Sequence, residues 1–366
     1  MKNITYYFGA GASSEALPMS NQLADGMTYF KGSFLNKHRN KFEDATFSIV
    51  FTQALHELIK DIRKNRSIDA LAYRYTLSNE EMKLMKIKYL LSAYLIYEQL
   101  MKEESWDYYT DIMDNNHPNS SNIAVEQSIK NKINLISDPR YLHFLMPKLI
   151  KAKSRHKYEL PGNIKVISWK YDLQFEIALS SITNNNLDEI QEDFCIFPSW
   201  QNDFYKDKSC IIKLNGTAGL YNDNSVKRLI NMLDLKKDEI YQTLKMLIDI
   251  FHRNDKRVYE EPIFAFAWEK DNNIVTMTRS YAKSVIEETE ILVIIGYSFP
   301  EFNFNIDKEI LQNSSRLKKI YYQVPQKDFE ECKERLLAIN EGFENIPIIN
   351  KPNTYFFYTP VEYYKG

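Results

Sequence analysis

The stretch that decides the fold is ITYYFGAGAS, residues 4–13. Residues 4–8 are β-branched and aromatic, which is typical of a strand buried on both faces. The strand leads directly into Gly9-Ala10-Gly11-Ala12-Ser13, where two glycines let the backbone pass close to a ligand. In an α/β protein, the helix that follows such a turn offers free N–H groups to a phosphate. The third glycine of the dinucleotide-binding fingerprint is replaced by Ser14, so the turn carries only part of that motif.

Further apolar runs predict more strands of the same sheet. They span residues 164–169, 210–214, 262–268, 291–295, 319–324 and 354–358. Helical patterns separate them, most clearly over residues 80–101, where apolar side chains recur at i, i+3 and i+4. Apolar strands that alternate with helices predict an α/β fold. We therefore expect a Rossmann-like, doubly wound and mostly parallel sheet with a large helical insertion.

The order of the patterns divides the chain into three parts. Residues 1–41 begin the Rossmann-like core, and residues 42–160 form a helical insertion module. Residues 161–366 supply the remainder of the core, with a smaller helical insertion near residues 225–258.

Glycine is scarce, with 10 residues in 366, against a usual frequency of about 7%. A chain this sparing with glycine is expected to place it where a side chain would not fit. Five glycines lie at or just past the ends of apolar runs: Gly9, Gly11, Gly216, Gly219 and Gly296. Such positions are where an open α/β sheet approaches a ligand.

Composition excludes several classes of function. With 47 Lys+Arg against 49 Asp+Glu the formal net charge is -2, so nucleic acid is not an expected partner of this chain alone. No window approaches the roughly 18–20 apolar residues of a membrane span, and residues 1–5 show no signal peptide. The six histidines form no HExxH pair, which excludes a zincin-type metalloprotease. We expect a cytoplasmic protein without a metal site.

Three later segments carry the strongest functional signal. They are VISWKYD at residues 166–172, IKLNGT at 212–217 and IGYSFPEF at 295–302. With the turn at residues 9–13 and Ser67-Ile68-Asp69, these motifs resemble those of the SIR2-like family. More narrowly, the chain is similar to bacterial SIR2-like subunits of antiphage systems, some of which work beside a HerA-type ring ATPase. The motifs are scattered, in consistent order, over the chain up to about residue 310.

This resemblance implies a pocket for NAD+ and cleavage of the nicotinamide–ribose bond, which yields nicotinamide and ADP-ribose. It assigns cofactor binding to Gly9, Ala10, Gly11, Ala12, Ser13, Gly216, Thr217, Gly296, Tyr297 and Ser298. Ser298 could equally cap a turn. Trp268, at the end of its predicted strand, could line the pocket or belong to the core.

Protein deacylation is not expected. Sirtuin deacylases generally carry a four-cysteine zinc module, whereas Cys195, Cys210 and Cys332 form no CxxC pair. We therefore expect NAD+ as the ligand or substrate, and no zinc.

The candidate catalytic residues are Lys170, Asp172 and Asn215, and two of them depart from the family pattern. Active relatives place asparagine where this chain has Lys170, and often histidine where it has Asn215. A protonated lysine about 4 Å from the oxocarbenium charge would oppose it by about 4 kcal/mol at an effective dielectric near 20, roughly a thousandfold in rate. Asn215 can hydrogen-bond a ribose hydroxyl but cannot act as a general base. Asp172 could orient Lys170, bind ribose or cap the following helix.

Three explanations for Lys170 stay open. It could point away or be neutral, the site could be degenerate, or the lysine could be a single substitution in a competent site. The first hypothesis is an NAD+ glycohydrolase that depletes NAD+ during phage infection. The alternative is a catalytically degenerate scaffold that binds NAD+ or ADP-ribose, forms a homo-oligomer and docks a partner ATPase. Neither hypothesis identifies the general base.

Overall fold

The computed structural model describes residues 2–14, 16–17, 22–37, 45–99, 136–152, 157–198, 204–223, 226–229, 261–269, 273–353 and 355–365. Its strands are β1 (Ile4–Phe8), β2 (Ile150–Lys151), β3 (Tyr158–Glu159), β4 (Ile164–Ser168), β5 (Ile196–Phe197), β6 (Cys210–Lys213), β7 (Gly216–Asp223), β8 (Val226–Leu229), β9 (Glu261–Phe264), β10 (Ile291–Ile295), β11 (Lys319–Gln323) and β12 (Ile348–Asn350).

Its α-helices are α1 (Leu23–Lys37), α2 (Ala45–Asn65), α3 (Ile68–Leu77), α4 (Glu81–Gln99), α5 (Pro139–Leu145), α6 (Gln174–Thr183), α7 (Leu187–Asp193), α8 (Asn273–Glu288), α9 (Phe304–Leu311) and α10 (Phe329–Ile339). A short 3-10 turn, Ala10–Ser13, follows β1. No helix in the described ranges combines the length and the apolar character needed to cross a membrane.

Seven strands form one central sheet in the order β12-β11-β10-β1-β4-β6-β5. Each neighbouring pair is parallel, and both sheet faces are buried, as in strand β1, whose five residues are all buried. The predicted Rossmann-like α/β fold is confirmed. From β1 the chain builds outward to β4 and β6, and then returns to build β10, β11 and β12 on the other side. The strand order therefore reverses between β1 and β10, and ligands of open α/β sheets bind at such a reversal.

Helices α1 to α4 share one hydrophobic core, which includes Phe30, Phe51 and Tyr94 and continues into Phe264 and Phe266 beside the sheet. Helix α1 precedes residue 42, so helices of this shared core begin before the predicted start of the insertion. The insertion is also not helical throughout, because β2 and β3 pair as an antiparallel hairpin near its end.

A second, three-stranded antiparallel sheet has the order β8-β7-β9. Strand β8 lies where the smaller helical insertion was predicted. Residues 100–135, within the larger insertion, and 230–260, which hold most of the smaller one, lie outside the described residues.

The strand predicted at residues 354–358 is wrong over its described residues, because the last strand is β12. Gln323 at the end of β11 takes the place of a strand partner. Its amide donates to the carbonyl of Phe356 at 2.6 Å and accepts from the backbone N–H of Tyr358 at 2.9 Å. Phe357 then packs edge-on against Phe8 and Tyr141, each at 5.1 Å between ring centroids. Phe357 thus covers the sheet, and the segment does not extend it.

Candidate functional site

The turns that follow β1 and β10 are in direct contact at the carboxyl edge of the sheet. The backbone N–H of Gly9 donates to the carbonyl of Ile295 at 2.9 Å, and that of Gly11 donates to the carbonyl of Gly296 at 3.0 Å. A Cβ atom on Gly9 would lie 2.5 Å from the Cα of Tyr297. The two turns can approach this closely only because glycine has no side chain.

Gly296 is the most constrained of these glycines. Its φ is +57°, and a Cβ atom there would lie 2.7 Å from the backbone N of Ala12. We expect Gly296→Ala to lower the free energy of unfolding by about 2–3 kcal/mol, since left-handed strain and a backbone clash add. Gly32→Ala in α1 is the matched control. No atom lies within 4 Å of its added methyl, and alanine favours helix by up to about 1 kcal/mol. Urea denaturation of both variants measures the difference, and equal stabilities would contradict the close contact.

Lys170 points into the site and joins the turn after β1 to the loop after β4. Its Nζ lies 3.0 Å from Oδ2 of Asp172 and donates to the carbonyl of Ala10 at 3.2 Å. The Lys170 and Asp172 side chains are 10% and 5% exposed. The other carboxylate oxygen of Asp172 accepts from the backbone N–H of Gln174 at 3.1 Å. Asp172 therefore both orients Lys170 and caps the start of α6.

Asn215 is held at both ends of its amide. Nδ2 donates to the hydroxyl of Tyr171 at 3.3 Å, and Oδ1 accepts from Nη2 of Arg279 at 3.0 Å. The buried Arg279 guanidinium also donates to the carbonyls of Leu214 and Phe266 at 3.1 and 3.2 Å. Arg279 thus ties the end of β6 to the segment after β9, and Asn215 is a fixed part of this junction.

Gly216 and Thr217 lie where β6 passes into β7. Gly216 has a φ of +81°, a conformation that glycine adopts without strain. The hydroxyl of Thr217 is buried and has no hydrogen-bond partner among the described residues. A buried hydroxyl without a hydrogen-bond partner lowers the stability of a protein core. The Thr217 hydroxyl is therefore available to form a hydrogen bond with a ligand.

Tyr297 does not present its ring to the carboxyl edge. Its hydroxyl donates to Asp307 of α9 at 2.6 Å, and its ring stacks on Trp169 at 6.0 Å. The same carboxylate accepts from the Tyr7 hydroxyl at 2.5 Å and from Trp169 Nε1 at 3.0 Å. Burial raises the pKa of Asp307 to about 7. Through Asp307, this hydrogen-bond network joins α9 to β1 and to the residues that follow β4 and β10. Ser298 is exposed.

The remaining predicted binding residues are also engaged within the protein. The buried Ser13 hydroxyl is hydrogen-bonded to the hydroxyl of Tyr141 at 2.7 Å, and the carbonyl of Ala12 accepts from Arg140 at 3.3 Å. Trp268 stacks on Phe266 at 5.1 Å and donates from Nε1 to Thr76 of α3 at 3.2 Å. Trp268 therefore lies at the seam between the helical insertion and the sheet.

Apart from Trp268, which follows β9, the predicted residues thus follow one edge of the central sheet, at the ends of β10, β1, β4 and β6. With about 4.8 Å between neighbouring strands, these four ends span about 14 Å. Sequence reasoning missed Arg279, Arg140 and Asp307, which hold the predicted residues in place. All three lie within helices and do not follow a predicted strand. Their positions in the sequence therefore do not indicate that they belong to the site.

No protein-family model matches the chain, and no curated protein matches it. Among the described residues, no group of three or more His, Cys, Asp and Glu side chains is arranged to hold a metal ion.

Proposed function

We propose that the carboxyl edge formed by β10, β1, β4 and β6 binds NAD+ and hydrolyses its nicotinamide–ribose bond. The observation that carries the proposal is the glycine-to-glycine contact between the turns after β1 and β10, where the strand order reverses. At such a crevice the backbone approaches a diphosphate closely. The buried Thr217 hydroxyl, which has no partner among the described residues, supports a polar ligand at the β6 end of the same edge.

In this proposal the two halves of the dinucleotide lie along the edge. The turn at residues 9–13 faces the diphosphate, and the β10 turn lies on the adenosine side. The loop at residues 169–172 and Asn215–Thr217 face the nicotinamide ribose. Arg279 and Tyr171 hold Asn215, so its amide is preorganised and only small movements are needed on binding.

The environment of Lys170 supports a second candidate function, that of a binding subunit with little or no turnover. The lysine is nearly buried against Asp172 and the Ala10 carbonyl, which favours a subunit that binds NAD+ or ADP-ribose and turns it over slowly or not at all. A role in antiphage defence, self-assembly and a HerA-type ATPase partner come from the SIR2-like resemblance, and a cytoplasmic location comes from the composition of the sequence. They complete this proposal as its biological setting.

Calorimetry with NAD+ and ADP-ribose tests the binding step, and chromatographic detection of nicotinamide tests the cleavage step. We expect heat of binding with both ligands and slow release of nicotinamide from NAD+. Binding without release, with and without a candidate ATPase, would favour the scaffold. No binding of either ligand would exclude both functions.

A further inference from the structure

Helix α3 of the insertion contacts the segments that follow β9 and β10. Tyr73 packs on Trp268 at 5.2 Å and on Phe302, which follows β10, at 5.9 Å between ring centroids. Thr76 accepts the hydrogen bond from Trp268. Residues 69, 73 and 76 are spaced i, i+4 and i+7, so they share one face of the helix. Asp69 is therefore at the N-terminal end of the face that α3 turns toward Trp268 and Phe302.

Asp69 is close enough to Tyr171 for its negative charge to act on the tyrosine hydroxyl. Burial, followed by the negative charges of Asp69 and Glu269, holds the pKa of Tyr171 well above its usual value. Ile68 and Leu71 of α3 belong to the hydrophobic core against which Tyr171 packs. Tyr171 contacts Phe264 of the same core at 5.0 Å between ring centroids.

The groups around Tyr171 differ in whether they are already paired. Glu269 is bound by Lys88 of α4 at 2.5 Å and by the backbone N–H of Phe266 at 2.6 Å. Arg279 donates to Asn215 and to several carbonyls. Within the described part of the chain, Asp69 is hydrogen-bonded only to its own backbone amide. It is thus the one carboxylate at this junction without a cationic partner there.

We propose that Asp69 is the general base of the site, the group that takes the proton of the water attacking ribose C1′ of NAD+. The inference rests on the proposed function. The bond between C1′ and the nicotinamide nitrogen breaks, and its electron pair leaves on that nitrogen, which becomes neutral. The water oxygen bonds to C1′. Its proton passes to the Asp69 carboxylate and then to solvent, so the products are nicotinamide, ADP-ribose and H⁺.

The protonation state of Asp69 suits this role. Burial raises its pKa to about 6, so the carboxylate is ionised at neutral pH and is a better base than an exposed aspartate. Tyr171 accepts from Asn215, and its high pKa keeps its own proton available as a donor beside Asp69. The sequence motif Ser67-Ile68-Asp69 contains this carboxylate, but its place near Tyr171 comes only from the fold.

The test compares Asp69→Asn with Asp188→Asn, in the native chain and in Lys170→Asn. Both aspartates are the second residue of a capped helix, after Ser67 in α3 and Asn186 in α7. The control therefore loses the same helix-terminus charge outside the site. NAD+ affinity, nicotinamide release from pH 5 to 8 and thermal melting are measured for each.

We expect Asp69→Asn to lower kcat about a hundredfold or more and to leave the Kd for NAD+ within about threefold. We expect kcat/KM of the parent to rise with pH up to an inflection near 6, and Asp69→Asn to lose that rise. Asp69→Glu should restore part of kcat, and Asp188→Asn should match the parent. Unchanged release and an unchanged pH profile in folded Asp69→Asn would overturn this inference alone. Absence of release from every form would overturn it together with the proposed cleavage, and absence of NAD+ binding would overturn the binding site as well.

Discussion

Lys213→Met is expected to lower the free energy of unfolding by about 3–5 kcal/mol, the usual cost of removing one partner of a buried ion pair. Lys213 Nζ lies 2.5 Å from Oε1 of Glu176, with side chains 1% and 0% exposed, and also donates to the carbonyl of Asp172 at 2.6 Å. In the variant Glu176 is left buried without its cation. Urea denaturation at neutral pH measures the loss.

The loss of unfolding free energy in Lys213→Met should increase with pH. Burial already raises the pKa of Glu176, and Lys213 counteracts that rise; without the lysine, the folded-state pKa rises further. Since the folded state then holds a proton that the unfolded chain has released, stability falls as pH rises from the unfolded pKa, about 4.3, through the folded one. We expect Lys213→Met to be least destabilised near pH 4.5 and most destabilised near pH 8.

Two controls separate this effect from simple loss of an ion pair. Lys318→Met breaks a pair of 2.6 Å whose lysine is 63% exposed, and exposed pairs contribute at most about 1 kcal/mol. Lys213→Met combined with Glu176→Gln removes both buried charges and should recover much of the stability. If Lys213→Met and Lys318→Met cost the same, burial is not the source of the effect.

The sheet could be predicted from the sequence because its strands are buried on both faces. Continuous apolar runs gave β1, β4, β6, β10 and β11 to within a residue, and their alternation with helices gave the parallel arrangement. The strands that were missed are short or lie on a smaller sheet, as β2, β3 and β8 do. The segment at residues 354–358 has the composition of a strand, yet the Gln323 side chain satisfies its backbone, and composition alone carries no information about that partner.

For the candidate site, the sequence predicts which loops come together but not where their side chains point. Residues that follow predicted strands were placed at one edge, because the ends of parallel strands meet there. The direction of each side chain depends on partners far away in the sequence. Tyr297 is turned into the core by Asp307, and Asn215 is held by Arg279 from α8. The same limit applies to Asp69, which is about 100 residues from Tyr171 in sequence and is brought near it by α3.

Lys170→Asn is expected to raise the rate of nicotinamide release by up to about a thousandfold, on the proposal that the site cleaves NAD+. A lysine charge about 4 Å from the developing oxocarbenium opposes it by about 4 kcal/mol at an effective dielectric near 20. The Asp172 carboxylate lies 3.0 Å from the lysine nitrogen, and at about 7 Å from the same charge it returns about 2.4 kcal/mol. In the native chain the ion pair therefore opposes the charge by about 2 kcal/mol, roughly twentyfold in rate. Because Asp172 stays in the variant, Lys170→Asn removes the whole lysine term of about 4 kcal/mol, roughly a thousandfold in rate.

Two further substitutions at the same position isolate the cause. Lys170→Met removes the charge without supplying an amide, and Lys170→Arg keeps the charge at a similar length. If charge is the obstacle, Met should give most of the gain that Asn gives, and Arg should give none. A gain with Asn alone would instead assign the effect to the amide, as a hydrogen-bonding group for the ribose. Chromatography at saturating NAD+ measures each rate, and a thermal melt of each variant shows that Asp172 without its cation still leaves the protein folded. Folded Asn and Met variants that bind NAD+ and release no more nicotinamide than the native chain would show that Lys170 does not limit turnover.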